Sequence, residues 1–64
     1  MFTFKLYKGE DCTVPPNTTM YQNTALTMAG HFIKDYNKVE VLLNDKVVIK
    51  TLENENPIFS ASLT

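Results

Sequence analysis

The stretch Val39–Leu52, VEVLLNDKVVIKTL, decides the fold of this 64-residue chain. Its two halves, 39–43 and 47–52, are rich in β-branched and aliphatic residues, and Asn44-Asp45-Lys46 between them has the composition of a turn. The stretch therefore predicts an antiparallel β-hairpin. It also holds more aliphatic side chains than one face of a sheet can take, so some of them must lie on a second face.

The length of the loop decides which side chains lie on which face. With a three-residue loop, Leu43 pairs with Val47, and Glu40 falls opposite Lys50 as a favourable cross-strand ion pair. In that register the first face carries five aliphatic residues, Val39, Val41, Leu43, Val47 and Ile49, and the second face carries Leu42, Val48 and Leu52 beside the Glu40–Lys50 pair. A two-residue turn at Asn44-Asp45 would instead leave Leu42, Val47 and Ile49 on the second face.

Three further elements can be predicted from periodicity. Phe2–Lys8 alternates apolar and polar residues, which is typical of a half-buried strand. Met20–Tyr36 has one continuous apolar arc at helical spacing, and Thr19 and Gln22 before it have the spacing of a capping box. In Ile58–Thr64, apolar residues alternate with serines, which indicates a further strand.

The order of these elements, β-α-β-β-β, predicts a single α+β domain over residues 1–64. One helix packs on one face of a three- or four-stranded, mainly antiparallel sheet. A chain of this length buries only about 60% of its unfolded surface, so a staple or a partner would help it fold. Disulfides cannot supply the staple because Cys12 is the only cysteine, and a lone thiol fits a reducing compartment.

Candidate catalytic and metal-binding residues are few. Cys12 and His31 are the only nucleophile and base that could pair, and they would also need an orienting group and an oxyanion site. We expect instead a loop cysteine packed under the prolines and a solvated histidine. One cysteine and one histidine do not make a zinc set, and Glu53-x-Glu55 reads as a solvated turn. The chain is therefore predicted to be no enzyme and to have no metal, cofactor or small-molecule site.

Charge and hydropathy exclude two further classes of function. Six lysines face seven acids and arginine is absent, so no basic field points to nucleic acid, and nucleic-acid binding is disfavoured. No run approaches the ~20 apolar residues of a membrane span, and no basic-then-apolar leader begins the chain. We expect a complete, soluble, cytoplasmic product that does not bind membranes.

The second face of the sheet supplies the functional hypothesis. Leu42, Val48 and Leu52, framed by Glu40 and Lys50, would form a small apolar centre with a polar rim that binds another protein. The loop over residues 12–17 or the tail could cover the same face from within. Together with a composition typical of A/T-rich genomes, this favours a phage- or mobile-element-encoded modulator or inhibitor of a host factor. The alternatives are a homo-oligomeric assembly protein and a weak nucleic-acid binder.

Overall fold

The computed structural model describes residues 1–56, which form four strands and one helix. The elements are β1 (Phe2–Lys8), β2 (Asp11–Thr13), α1 (Gln22–Phe32), β3 (Lys38–Leu43) and β4 (Val47–Glu53). The strands make one antiparallel sheet in the order β2-β1-β3-β4. The predicted α+β class, with one helix on one face of a mainly antiparallel sheet, is confirmed.

The order of the elements differs from the prediction in one strand. β2 is missing from the predicted order because its three residues are all exposed and have no alternation. It forms because Gly9, with a φ of +64°, lets the chain turn back on β1. The further strand predicted over 58–64 lies outside the described residues.

The core lies between the sheet and α1. Alternate residues of β1, Phe2, Phe4 and Leu6, are buried on the helix face, where β3 contributes Val39 and Val41. The helix approaches closely because its buried positions are two alanines, Ala25 and Ala29. Phe32, one turn later, meets Phe4 edge to face with ring centroids 5.3 Å apart. This packing fixes α1 along the sheet, running from the start of β1 toward its end.

The helix is shorter than predicted, and the capping box does not form. α1 begins at Gln22 after Tyr21, which makes no capping bond with its side chain. The reason is that Thr19 is used by the sheet: its amide and carbonyl bond to Phe2 at 3.2 and 2.7 Å, and its Oγ1 accepts from the Tyr21 amide. At the other end the helix tightens into a turn, in which the Asp35 amide donates to the Phe32 carbonyl at 3.0 Å.

The β3–β4 hairpin begins in the register predicted for a three-residue loop. Leu43 pairs with Val47, while Asn44 and Asp45 have φ values of 55° and 60°. The Lys46 amide donates to the Leu43 carbonyl at 3.1 Å, which closes a turn with the positive φ values of type I′.

A β-bulge at Ile49 then changes the register, so the predicted Glu40–Lys50 pairing is wrong. Leu42 still pairs with Val48, but beyond the bulge Val41 pairs with Lys50, and Glu40 pairs with Thr51. Because one extra residue reverses the alternation of the strand, every side chain beyond it changes face. Leu52 consequently lies opposite Val39 and packs against the core, not on the second face as predicted.

Among residues 1–56, no helix has both the length and the apolar character needed to cross a membrane.

Candidate partner-binding surface

The face of the sheet away from α1, called the second face here, carries mostly polar side chains. Its three cross-strand rows are Cys12–Tyr7–Lys38–Glu53, Lys5–Glu40–Thr51 and Thr3–Leu42–Val48. Only the last row is apolar at its centre. The aliphatic content of this face is therefore two residues, where either predicted register gave three.

The five residues predicted to bind a partner do not come together as one site. Leu42 and Val48 are cross-strand neighbours, but Leu42 is only 4% exposed, whereas Val48 is exposed. Leu52 belongs to the helix side of the sheet. Glu40 is held by neighbouring side chains, and Lys50 is exposed beside the bulge. Of the predicted aliphatic trio, only Val48 offers substantial apolar surface to a partner.

Glu40 is the centre of a polar cluster on the second face. The Tyr7 hydroxyl donates to Glu40 Oε1 at 2.8 Å, and Lys38 Nζ lies 3.7 Å from Glu40 Oε2. Lys38 Nζ also lies 5.3 Å from the centroid of the Tyr7 ring. The hydrogen bond to Glu40, then desolvation, then the neighbouring Cys12 raise the pKa of Tyr7 to about 12. A phenol this firmly protonated serves as a hydrogen-bond donor at neutral pH, so the cluster ties β1 to β3.

The one nucleophile and base in the sequence are not brought together. Cys12 lies on β2 opposite Tyr7, on the second face, and is exposed. His31 lies on α1, which packs on the other face of the sheet, and is also exposed. Among residues 1–56, no three His, Cys, Asp or Glu side chains are grouped so that they could hold a metal ion.

A different surface stands out at the end of the sheet where β1 begins, called the tip end here. Backbone pairing places Thr19, Phe2, Leu43 and Val47 in one row across this end. Residues in this row or within two positions of it include five of the six large hydrophobic side chains that are exposed in the described chain, between 45% and 74% each. These five residues are named the tip surface: Met1, Met20, Tyr21, Val47 and Val48.

Hydrogen bonds hold the backbone beneath the tip surface. The Thr3 hydroxyl donates to Asp45 Oδ1 at 2.7 Å, and the Asn44 amide donates to the Met1 carbonyl at 2.8 Å. These bonds fasten the start of β1 to the hairpin turn, while the Thr19–Phe2 bridge fastens the segment before α1 to the other side of β1. The exposed apolar side chains therefore stand on a fixed backbone.

Sequence reasoning missed most of this surface because it assigned Met20 and Tyr21 to the helix, with Tyr21 in the apolar arc. In the structure both precede α1. The signal that was available is the pair Val47-Val48 directly after a turn. Two consecutive β-branched residues in a strand must point to opposite faces, so one of them had to lack a place in a one-sided core.

The opposite end of the sheet is built differently. The Asn37 side chain accepts from the Gly9 amide at 2.8 Å and donates to the Asn54 carbonyl, while Asn54 Nδ2 donates to the Ile33 carbonyl at 2.9 Å. These two amides join the β1–β2 turn, the end of α1 and the end of β4. A hollow of about 450 Å³ beside them is lined by Lys34, Asp35, Asn54 and Asn56.

Charge is also divided between the two ends. Strand direction and turn positions place five of the seven acids at the opposite end: Glu10, Asp11, Asp35, Glu53 and Glu55. Asp45 is the one acid at the tip end. Most of the exposed apolar side chains and most of the acidic side chains in residues 1–56 thus occupy different ends of the molecule.

Comparison of the chain with protein-family models, with curated proteins and with solved structures finds no match.

Proposed function

We propose that this chain acts in the cytoplasm as a small non-catalytic protein that binds another protein through the tip surface. The observation that carries the proposal is the concentration, at one end, of five of the six large hydrophobic side chains that are exposed among residues 1–56. Exposed large hydrophobic side chains that are concentrated at one end of a folded domain mark interaction sites more often than side chains scattered singly over the surface do. The fixed backbone beneath the patch lowers the ordering cost of binding.

The site proposed here differs from the one that the sequence alone indicates. Val48 belongs to both, and Lys50 lies on the same strand, two residues farther along. Leu42 and Leu52 are withdrawn from the contact, because Leu42 is buried and Leu52 packs on the helix side. Glu40 is already bonded to Tyr7. The contact therefore moves from the middle of the second face to the end of the sheet.

Within this proposal the partner is a host factor, and the chain is a modulator or inhibitor encoded by a phage or mobile element. The support is compositional: lysine and asparagine are frequent, while arginine and tryptophan are absent, a bias typical of A/T-rich genomes. A non-catalytic chain of this size can alter a host process only by occupying a surface of another molecule.

The test compares three immobilised proteins in an affinity pull-down from a bacterial lysate. These are the wild type, a tip variant with Met20→Ser, Val47→Thr and Val48→Thr, and a control variant with Val14→Thr. Val14 is 62% exposed and is the sixth exposed large hydrophobic among residues 1–56, so the control makes the same valine-to-threonine change outside the tip. Far-UV circular dichroism should show that all three are folded.

We expect at least one protein to be retained by the wild type and by the control but not by the tip variant. The purified protein should then bind the chain in calorimetry with the same dependence on the tip residues. The proposal fails if every retained protein is held equally by the tip variant. Retention of the chain on DNA at physiological salt would favour the nucleic-acid alternative instead.

A further inference from the structure

The tip surface has a charge character as well as an apolar one. Lys46 and Lys50 are exposed on the hairpin, and neither has an ion pair within the part of the chain that the structure describes. Lys50 lacks an ion pair with Glu40 because the bulge places this lysine opposite Val41. Lys38 at the opposite end, in contrast, lies beside the Glu40 carboxylate.

Negative charge near these lysines is scarce. The carboxylate of Asp45 accepts the hydroxyl of Thr3, and the first turn of α1, which starts at this end, contains no acidic residue. The five acids at the opposite end lie roughly 20 Å from Lys46, the length of a seven-residue strand, whereas Lys50 is nearer to them, three residues or about 10 Å before Glu53. Both distances exceed the screening length in physiological salt, which is about 8 Å. A molecule that approaches the tip surface therefore meets apolar side chains and unpaired positive charge.

We infer that the tip surface binds a segment of the partner protein in which acidic residues stand next to apolar ones. This inference rests on the proposed function and specifies the chemistry of the partner. Apolar side chains of the segment cover Met20, Tyr21 and Val47, and its carboxylates approach Lys46 and Lys50. The tip end holds one acid, Asp45, whereas the opposite end holds five, so an acidic partner meets less repulsion at the tip.

A second copy of the chain fits this surface less well. A two-fold contact between tips would place the lysines of one copy near those of the other, and like charges oppose association. The exposed area of five side chains is also on the order of several hundred Å², whereas a standard stable interface buries about 800 Å² on each partner. The patch is of a size that suits a short segment.

The probe for this inference is a random library of twelve-residue peptides displayed on phage and selected on the full chain. We expect the selected peptides to be enriched in Asp and Glu together with aliphatic or aromatic residues, relative to the unselected library. A selected peptide is then synthesised with a fluorescent label and titrated by fluorescence polarisation against three variants. They are the charge variant Lys46→Glu with Lys50→Glu, the tip variant, and the control Lys34→Glu, which reverses an exposed lysine at the opposite end.

The charge variant should weaken peptide binding on the order of tenfold, equivalent to about 1.4 kcal/mol, because it removes two exposed charge pairs with the carboxylates of the peptide. The tip variant should weaken it at least as much, and the control should stay within about twofold of the wild type. Higher salt should reduce the difference between the wild type and the charge variant.

The outcomes that overturn the inference are separable from those that overturn the proposed function. Selected peptides without an acidic excess, bound equally by the charge variant but not by the tip variant, overturn the acidic partner alone. Peptides bound equally by both variants, or no selective enrichment, overturn both. A dimer in light scattering that the tip variant abolishes assigns the surface to a second copy and overturns the acidic partner.

Discussion

The two ends of the sheet use their side chains in different ways. At the opposite end, Asn37 and Asn54 complete backbone hydrogen bonds that join a turn, a helix end and a strand end. At the tip end, the large side chains of Met20, Tyr21 and Val47 remain in water. The comparison suggests that the first end closes the fold, whereas the apolar side chains at the second add little to it and are available for contact.

The difference between the two ends is tested most directly by one substitution at each end, because the two substitutions should change the stability of the fold unequally. Asn37→Ala removes the acceptor of the Gly9 amide and the donor to the Asn54 carbonyl. We expect a loss of about 1–2 kcal/mol in the free energy of unfolding, since two hydrogen bonds are removed and each contributes roughly 0.5–1.5 kcal/mol net. Val47→Thr at the tip should change it by less than ~0.5 kcal/mol, because the side chain is mostly exposed.

Urea unfolding of the two variants and the wild type measures both values. Equal losses would mean that the tip side chains stabilise the fold as much as the asparagine network does, and the division between the two ends would then be wrong.

The two glycines of the chain should respond in opposite ways to substitution by alanine. Gly9 belongs to the opposite end and has a φ of +64°, a region that disfavours side chains, so Gly9→Ala should cost about 1 kcal/mol. Gly30 lies exposed in α1, and a Cβ there would meet no atom within 4 Å. Gly30→Ala should therefore stabilise the chain by roughly 0.5–1 kcal/mol. Thermal unfolding would show shifts of opposite sign, and a loss at Gly30 would indicate a constraint on α1 that its contacts do not contain.

The smallest expected effect concerns Tyr7 and depends on pH. Its pKa is raised from 10.0 to about 12 in the fold, chiefly by the hydrogen bond to Glu40. A raised pKa stabilises the fold below pH 10, and this contribution is lost as the pH rises from 10 to about 12. The stability of the wild type should fall more steeply across this window than that of Tyr7→Phe, as measured by urea unfolding at several pH values.

Glu40→Gln provides the matched control for Tyr7. Removal of the carboxylate should lower the pKa of Tyr7 toward 10, which absorbance near 295 nm reports as earlier ionisation of one tyrosine. If the ionisation does not move, the hydrogen bond between Tyr7 and Glu40 is not the cause of the shift.

Much of the fold follows from local patterns in the sequence. The alternation in Phe2–Lys8 predicts β1 and its buried face, and the two β-branched runs around Asn44-Asp45 predict the hairpin and its turn. The pairing of Leu43 with Val47 is one of the two registers that the composition of the turn allows. These features can be predicted because they depend on residues that are close together in the chain.

The errors arise where a distant segment decides the local structure. Thr19 has the spacing of a helix cap, but pairing with Phe2, seventeen positions earlier, takes its backbone into the sheet. The bulge at Ile49 brings Leu52 opposite Val39 on the neighbouring strand, and no turn or breaker residue marks it. The Thr19 pairing places Met20 and Tyr21 before the helix, and the bulge removes Leu52 from the second face, so most of the candidate site could not be derived from the sequence.

The central position of β1 bears on the cooperativity of the domain. In the described sheet, β2 pairs only with β1, and β4 pairs only with β3. The β1–β3 pairing therefore joins the β2–β1 half to the β3–β4 half. If the β1–β3 hydrogen bonds break, two separate two-stranded ribbons remain, and such ribbons are marginally stable at best in water. Loss of contact between residues that are 31 to 41 positions apart therefore removes the support of both halves together, and the domain should melt as one unit.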